Sequence, residues 1–191
     1  TVLHGSYTVD NDLDLQAFAD AGCTTIEGNL TLTGTLLTHL MGLDRLVAVG
    51  GDLTITENAA LVTLSGLNQL VSVGGDLRIA TNALLTSLAD LGALTTVGGA
   101  LSLYGNATLS SLGLGGLTQV GGMLSVSGNA ALTSLAGLES LSTVGDDLNV
   151  WSNVSLASLA GLEALTAVGG TVSFYRNGAL ASLAGLNLLA H

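Results

Sequence analysis

One phrase recurs along nearly the whole chain. Val49-Gly50-Gly51-Asp52-Leu53-Thr54-Ile55 returns as Val73-Gly74-Gly75-Asp76-Leu77-Arg78-Ile79. It returns again from Val97, Val120, Val144 and Val168, so successive valines lie 24, 24, 23, 24 and 24 residues apart. A period in this range, held to within one residue, marks a stack of one repeated coil.

Each coil reads V-G-G-x-L-x-I-x-x-N-x-x-L-x-x-L-x-G-L-x-x-L-x-x. The L-x-I element alternates as a strand does, with Leu53/Ile55, Leu77/Ile79, Leu101/Leu103, Leu124/Val126, Leu148/Val150 and Val172/Phe174 facing inward. Leu30/Leu32 and a degenerate copy at Gly5-Ser6-Tyr7-Thr8-Val9 bring the strand copies to eight. Stacked at ~4.8 Å per rung they form a parallel sheet on the order of 35 Å long. The expected fold is an all-β parallel solenoid with leucine-rich-repeat-like coils of about 24 residues, residues 1–191 forming one domain. Residues 1–27 would hold the cap and first coil, and residues 28–191 the regular coils. The Gly-Gly pair is expected at positive φ, with Asp146 a tolerated substitute.

Asn58, Asn82, Asn106, Asn129, Asn153 and Asn177 form a second strict column. Stacked amides can satisfy backbone groups that a bend leaves unpaired, so the column is read as a buried structural ladder. Asn106-Ala107-Thr108 and Asn153-Val154-Ser155 match the glycosylation pattern but sit in that ladder. Asn29-Leu30-Thr31 is then the accessible sequon. Leucines three apart, such as Leu61/Leu64/Leu67/Leu70, suit either a 3₁₀-like return path or irregular extended segments. The copy at Leu112-Gly113-Leu114-Gly115-Gly116 is one residue short and predicts a local irregularity.

Residues 12–21 interrupt the first coil. Asp12 can cap a helix there, and Leu13, Phe18 and Ala21 would give it an apolar face covering the N-terminal end of the core. No equivalent follows Leu188-Leu189-Ala190-His191, which stops in mid-coil. This predicts a fragment of a longer protein, or an end covered by a partner copy; a homodimer would form end to end or sheet face to sheet face.

Composition narrows the function. The 14 acids outnumber three basic residues, Arg45, Arg78 and Arg176, for a net charge of −11. That balance excludes nucleic acid and anionic membrane as partners, since both need a positive surface. No run of 18 apolar residues is present, so membrane insertion is not expected. The single Cys23 reads as a buried apolar thiol. His4, His39 and His191 lack metal-ligand spacing and are expected at the surface. No nucleophile, base or cofactor motif is present, so neither catalysis nor a cofactor is expected.

The Leu, Asn and Gly-Gly columns together resemble the receptor L domain, as found in bacterial and fungal surface proteins. Ile26-Glu27-Gly28-Asn29-Leu30-Thr31-Leu32, Leu40-Met41-Gly42-Leu43 and Val49-Gly50-Gly51-Asp52-Leu53-Thr54-Ile55 carry the likeness, which runs from about Gly5 to Leu189. The resemblance implies a right-handed solenoid and a secreted or cell-surface recognition role. The cysteine-rich neighbours of the receptor members are missing.

Outward strand positions are the candidate binding residues, because the sheet is rigid there. One column reads Thr33, Thr56, Ala80, Tyr104, Ser127, Trp151 and Tyr175, followed in the last coil by Arg176. With Arg78 and Asn149 alongside, it forms a candidate face for a glycan or protein ligand. Asp52, Asp76 and Asp147 form a neighbouring column, in which Asp52 and Asp76 could take calcium or be relieved by Arg78. Thr31, Thr33, Thr54 and Thr56 suggest an alternative, a flat ice-binding surface extended by Ser102, Ser125 and Ser173. A hydroxyl column at Thr63, Ser87, Ser111, Ser134, Ser158 and Ser182 lines another side. A third reading is a structural spacer in a larger surface protein.

Overall fold

Every repeat contributes two strands, and successive repeats pair them in parallel. The computed structural model describes residues 1–189; Ala190 and His191 lie outside the described residues. The chain forms a solenoid of about seven turns. One eight-stranded sheet runs from Tyr7–Thr8 through Leu30–Thr33, Leu53–Thr56, Leu77–Ala80, Leu101–Tyr104, Leu124–Ser127 and Leu148–Trp151 to Val172–Tyr175. This long-strand sheet follows the L-x-I elements in register, Leu53 beside Leu77 and Leu101 beside Leu124.

The second sheet is absent from the sequence reading. Its eight two-residue strands run from Val2–Leu3 and Thr25–Ile26 to Thr143–Val144 and Ala167–Val168. They hold the valine that opens each repeat. Two residues are too few to display alternation, so the period-2 signal never arises.

The Gly-Gly pair turns the corner between the two sheets, and its purpose differs from the expectation. None of Gly50, Gly51, Gly74, Gly75, Gly98 or Gly99 has positive φ. The reason is proximity. A Cβ on Gly74 would stand 2.2 Å from the Gly50 carbonyl oxygen, and one on Gly75 would stand 2.1 Å from the Asp52 carboxylate. Asp146 replaces the second glycine where the rung beneath presents Met123, which places no carboxylate in that space. Positive φ falls instead just after each long strand, at Gly34, Glu57, Thr81, Gly105, Gly128, Ser152 and Arg176.

The leucine path resolves into tight turns closed by three-residue bonds, Leu67 N–H to Leu64 C=O and Leu70 N–H to Leu67 C=O, both 3.0 Å. Only Ala89–Leu91 forms a 3₁₀ helix among the described residues. In the shortened coil the leucine spacing contracts between Leu112 and Leu114, both fully buried. Gly113 takes the strain at φ 62°, packed onto Ala89.

The helix spans Asp12–Ala21, with Asn11 rather than Asp12 as its cap. Asn11 Oδ1 accepts from Leu13 N–H and Asp14 N–H, while the Asp14 carboxylate accepts from the Asn11 N–H, a reciprocal capping box. Its buried face is Leu15 and Phe18; Leu13 is 80% exposed and Ala21 is exposed too. Leu15 C=O faces Gly42 as Leu40 C=O faces Gly66, so the helix takes the leucine path's place in the first coil. The core is continuous from Val9 to Leu165 and almost wholly aliphatic. In the last coil Val168, Val172, Phe174, Leu180 and Leu186 are only partly buried. Cys23 is buried, its thiol 3.6 Å from Thr25 C=O, and burial raises its pKa above the ordinary thiol value.

Candidate ligand-binding face

The asparagine ladder fixes the long-strand sheet and so positions everything on its outer surface. Asn58, Asn82, Asn106, Asn129 and Asn153 are buried, and Asn177 is partly exposed. Each amide bridges rungs. Asn106 Nδ2 donates to Ile79 C=O at 2.9 Å, while its Oδ1 accepts Asn82 N–H at 3.0 Å. Thr35 opens the column by donating its N–H and hydroxyl to Asn58 Oδ1. Every buried side-chain polar atom among the described residues has a partner.

Strand pairing sets Thr33, Thr56, Ala80, Tyr104, Ser127, Trp151 and Tyr175 in one straight row. The row is outward, yet exposure along it is uneven. Thr56, Ala80 and Ser127 are buried at 6%, 0% and 4%. Short side chains disappear between bulkier rungs, so the row is a relief rather than a uniform surface. Trp151 and Tyr175 stand on adjacent rungs, 45% and 55% exposed. Arg176 lies over the Tyr175 ring, its guanidinium 4.9 Å from the centroid. Arg78 lies over Tyr104 at 4.7 Å and donates to the Tyr104 hydroxyl. Both are cation–π pairs. Asn149 occupies the central row beside Ser125 and Ser173, its amide 3.3 Å from Met123 Sδ.

The aspartate column does different work. Asp52 Oδ1 accepts Asp76 N–H at 2.8 Å, Asp76 Oδ1 accepts Ala100 N–H at 2.7 Å and Asp147 Oδ1 accepts Thr171 N–H at 2.7 Å. Asn29 plays the same part for Asp52 N–H. One oxygen of each carboxylate thus caps the next rung. Among the described residues no group of three His, Cys, Asp or Glu is placed to hold a metal ion. Arg78 turns to Tyr104 and forms no ion pair with Asp76; the ion pair among the described residues is His4–Glu27 at 2.8 Å.

Thr31 and Thr33 sit beside Thr54 and Thr56, with the Thr33 and Thr56 hydroxyls 3.0 Å apart. On the next rung Arg78 and Ala80 take these positions, so the patch ends there; on the other side Thr8 extends the Thr31 row to three rungs. The Ser and Thr column on the leucine side is tied inward: Ser87, Ser134, Ser158 and Ser182 each accept the N–H two residues on. A hydroxyl ladder missed by the sequence reading runs beside the short-strand sheet. Thr95, Thr118, Ser142 and Thr166 each donate to a carbonyl of the preceding rung. Its signal was a Thr or Ser two residues before the repeated valine.

No helix among the described residues is long and apolar enough to cross a membrane. No family model, curated protein or solved structure matches the chain.

Proposed function

We propose that this solenoid is a secreted or cell-surface recognition and adhesion module of the receptor-L kind, non-catalytic, which takes a glycan or protein ligand on its long-strand face. One observation carries the reading: Trp151 and Tyr175 project side by side from a rigid parallel sheet, each about half exposed. The half of each aromatic left in water on an inflexible scaffold costs solvation and adds no packing to the fold. Such rings are suited to stacking on a sugar ring or anchoring a partner. Arg176 and Asn149 supply polar donors beside them, while Tyr104 and Arg78 stand two and three rungs from Trp151 on the same face.

Trp151 is the sole tryptophan, so its emission reports binding directly. Titration with arrays of glycans and candidate surface proteins should shift that emission for a cognate ligand. Trp151→Ala should abolish capture of the same ligand measured by calorimetry. Capture that survives this substitution unchanged removes the face from consideration. Silence across both arrays, with a folded chain, favours a spacer.

A further inference from the structure

Charge along the solenoid is segregated. Ten of the 14 acids precede Leu91, and Glu163 is the sole acid between Leu148 and Leu189. The rung of Asp76 lies four rungs from that of Tyr175, about 19 Å at the strand spacing and beyond two Debye lengths at physiological salt. Asp146 and Asp147 are nearer, but they sit at the far corner of their strand, about 13 Å along it from Trp151. The net charge of −11 is therefore weak where the aromatics project.

Arg176 lies in the column of left-handed residues that follows each long strand, φ 55°, where three coils place glycine and three others place Glu57, Thr81 and Ser152. Among the described residues its guanidinium meets no carboxylate and lies against the Tyr175 ring. The ring orients the fork without engaging its N–H donors, and that fork matches a carboxylate in geometry and charge.

The surroundings decide between sugar and protein. Beside Trp151 and Tyr175 stand Ser127, Asn149 and Ser173. The outward strand positions next to the two aromatics hold no large aliphatic side chain; the exposed Val154 and Leu183 lie outside the strands, Leu183 lining a cleft with Arg176. A protein-binding hot spot needs a contiguous, desolvated apolar patch. Two half-exposed aromatic rings edged by the Ser173 hydroxyl and the Asn149 amide suit a ring that is apolar on its face and polar on its rim.

Resting on the recognition reading above, we infer that the ligand is a carbohydrate bearing an isolated carboxylate. Trp151 and Tyr175 stack on its rings and Arg176 pairs with its acid group.

The test uses three probes against the intact chain: a neutral oligosaccharide ending in one uronic acid, its carboxyl-reduced counterpart, and a glutamate-rich peptide. Trp151 fluorescence and calorimetry should show the acid form binding about tenfold or more tighter than the reduced form, the range of one charge-assisted contact. Arg176→Gln should erase that preference and keep the weaker neutral binding. Arg176→Lys should restore only part of it, since it keeps charge but not the fork. Equal affinity for acid and reduced forms, or a preference that survives Arg176→Gln, overturns the inference and leaves the recognition face standing. Binding of the peptide alone also overturns it, in favour of a protein ligand. No response to any probe or to the wider arrays overturns both readings.

Discussion

Replacing Asn106 by alanine, at a fully buried rung of the ladder, should remove far more stability than the same change on the last rung. Asn106 Oδ1 is the acceptor for Asn82 N–H, and its Nδ2 is a donor to Ile79 C=O. Both of those backbone groups belong to the rung interior, and Asn106 itself is 0% exposed. Asn82 Nδ2 keeps its bond to Ile55 C=O, and Asn129 Oδ1 keeps the Asn106 N–H. The substitution thus orphans the buried Asn82 N–H, at about 1–3 kcal/mol, and removes one bond to Ile79 C=O, at about 1 kcal/mol, for a loss of about 3 kcal/mol. Asn177 makes equivalent bonds to Asn153 N–H and Val150 C=O but is partly exposed, on the last rung. Water can take its place there, so Asn177→Ala should cost about 1 kcal/mol. Urea unfolding followed by both circular dichroism and Trp151 emission measures the two losses. Coincident transitions show that the chain melts as one unit. Losses within 1 kcal/mol of each other would falsify the argument that burial, rather than bond count, sets the ladder's worth.

Four further outcomes are expected. Gly74→Ala forces a Cβ to 2.2 Å from Gly50 C=O and should cost about 3 kcal/mol, whereas Gly115→Ala meets nothing within 4 Å and should be neutral or stabilise by about 0.5 kcal/mol; parallel thermal melts compare them. Thr81→Gly relieves a β-branched residue at φ 56° and should stabilise by about 0.5–1 kcal/mol net of glycine's chain entropy, so a lower melting temperature would count against the strain argument. Cys23 should alkylate slowly at mildly alkaline pH in the folded chain and rapidly in urea. Because desolvation raises its folded pKa, its contribution to stability is present below the ordinary value of 9.0 and is lost as pH rises through the folded value; equal alkylation rates would show the thiol to be accessible. Expressed in a eukaryotic secretory host, the chain should carry glycan at exposed Asn29 and none at buried Asn106 or Asn153, as peptide mapping can establish.

The parts of this fold legible in sequence are those written in columns. Leu53/Ile55 and its copies specify one sheet through strict alternation, and the spacing of the asparagines specifies the ladder. What stayed hidden depends on neighbours between rungs. The Gly-Gly pair looks locally like a turn requiring positive φ, but its glycines answer to the Gly50 carbonyl and the Asp52 carboxylate of the coil beneath. Asn11 outcompetes Asp12 as the cap because it reaches both Leu13 N–H and Asp14 N–H, a difference of one residue that composition does not register. The uneven exposure of the Trp151 row was likewise unreadable, since burial of Ala80 and Ser127 depends on the size of the residues stacked beside them. The straightness of that row follows from the register alone.

These constraints also say why binding variation should gather where it does. Asp52, Asp76 and Asp147 are tied to backbone amides one rung on, so their column is scaffold despite its charge. The hydroxyls of Thr95, Thr118, Ser142 and Thr166 are tied to carbonyls in the same way. Ser87, Ser134, Ser158 and Ser182 hold local turns. On the long-strand sheet this leaves two outward rows, the one through Thr54 and Arg78 and the one through Tyr104 and Trp151. Side chains in these rows bond little of the backbone, so exchanging them leaves the ladders standing. A coil whose polar groups are nearly all engaged in stacking can diversify only there, and it is there that Tyr104, Trp151 and Tyr175 project, with Arg78 and Arg176 laid against two of their rings.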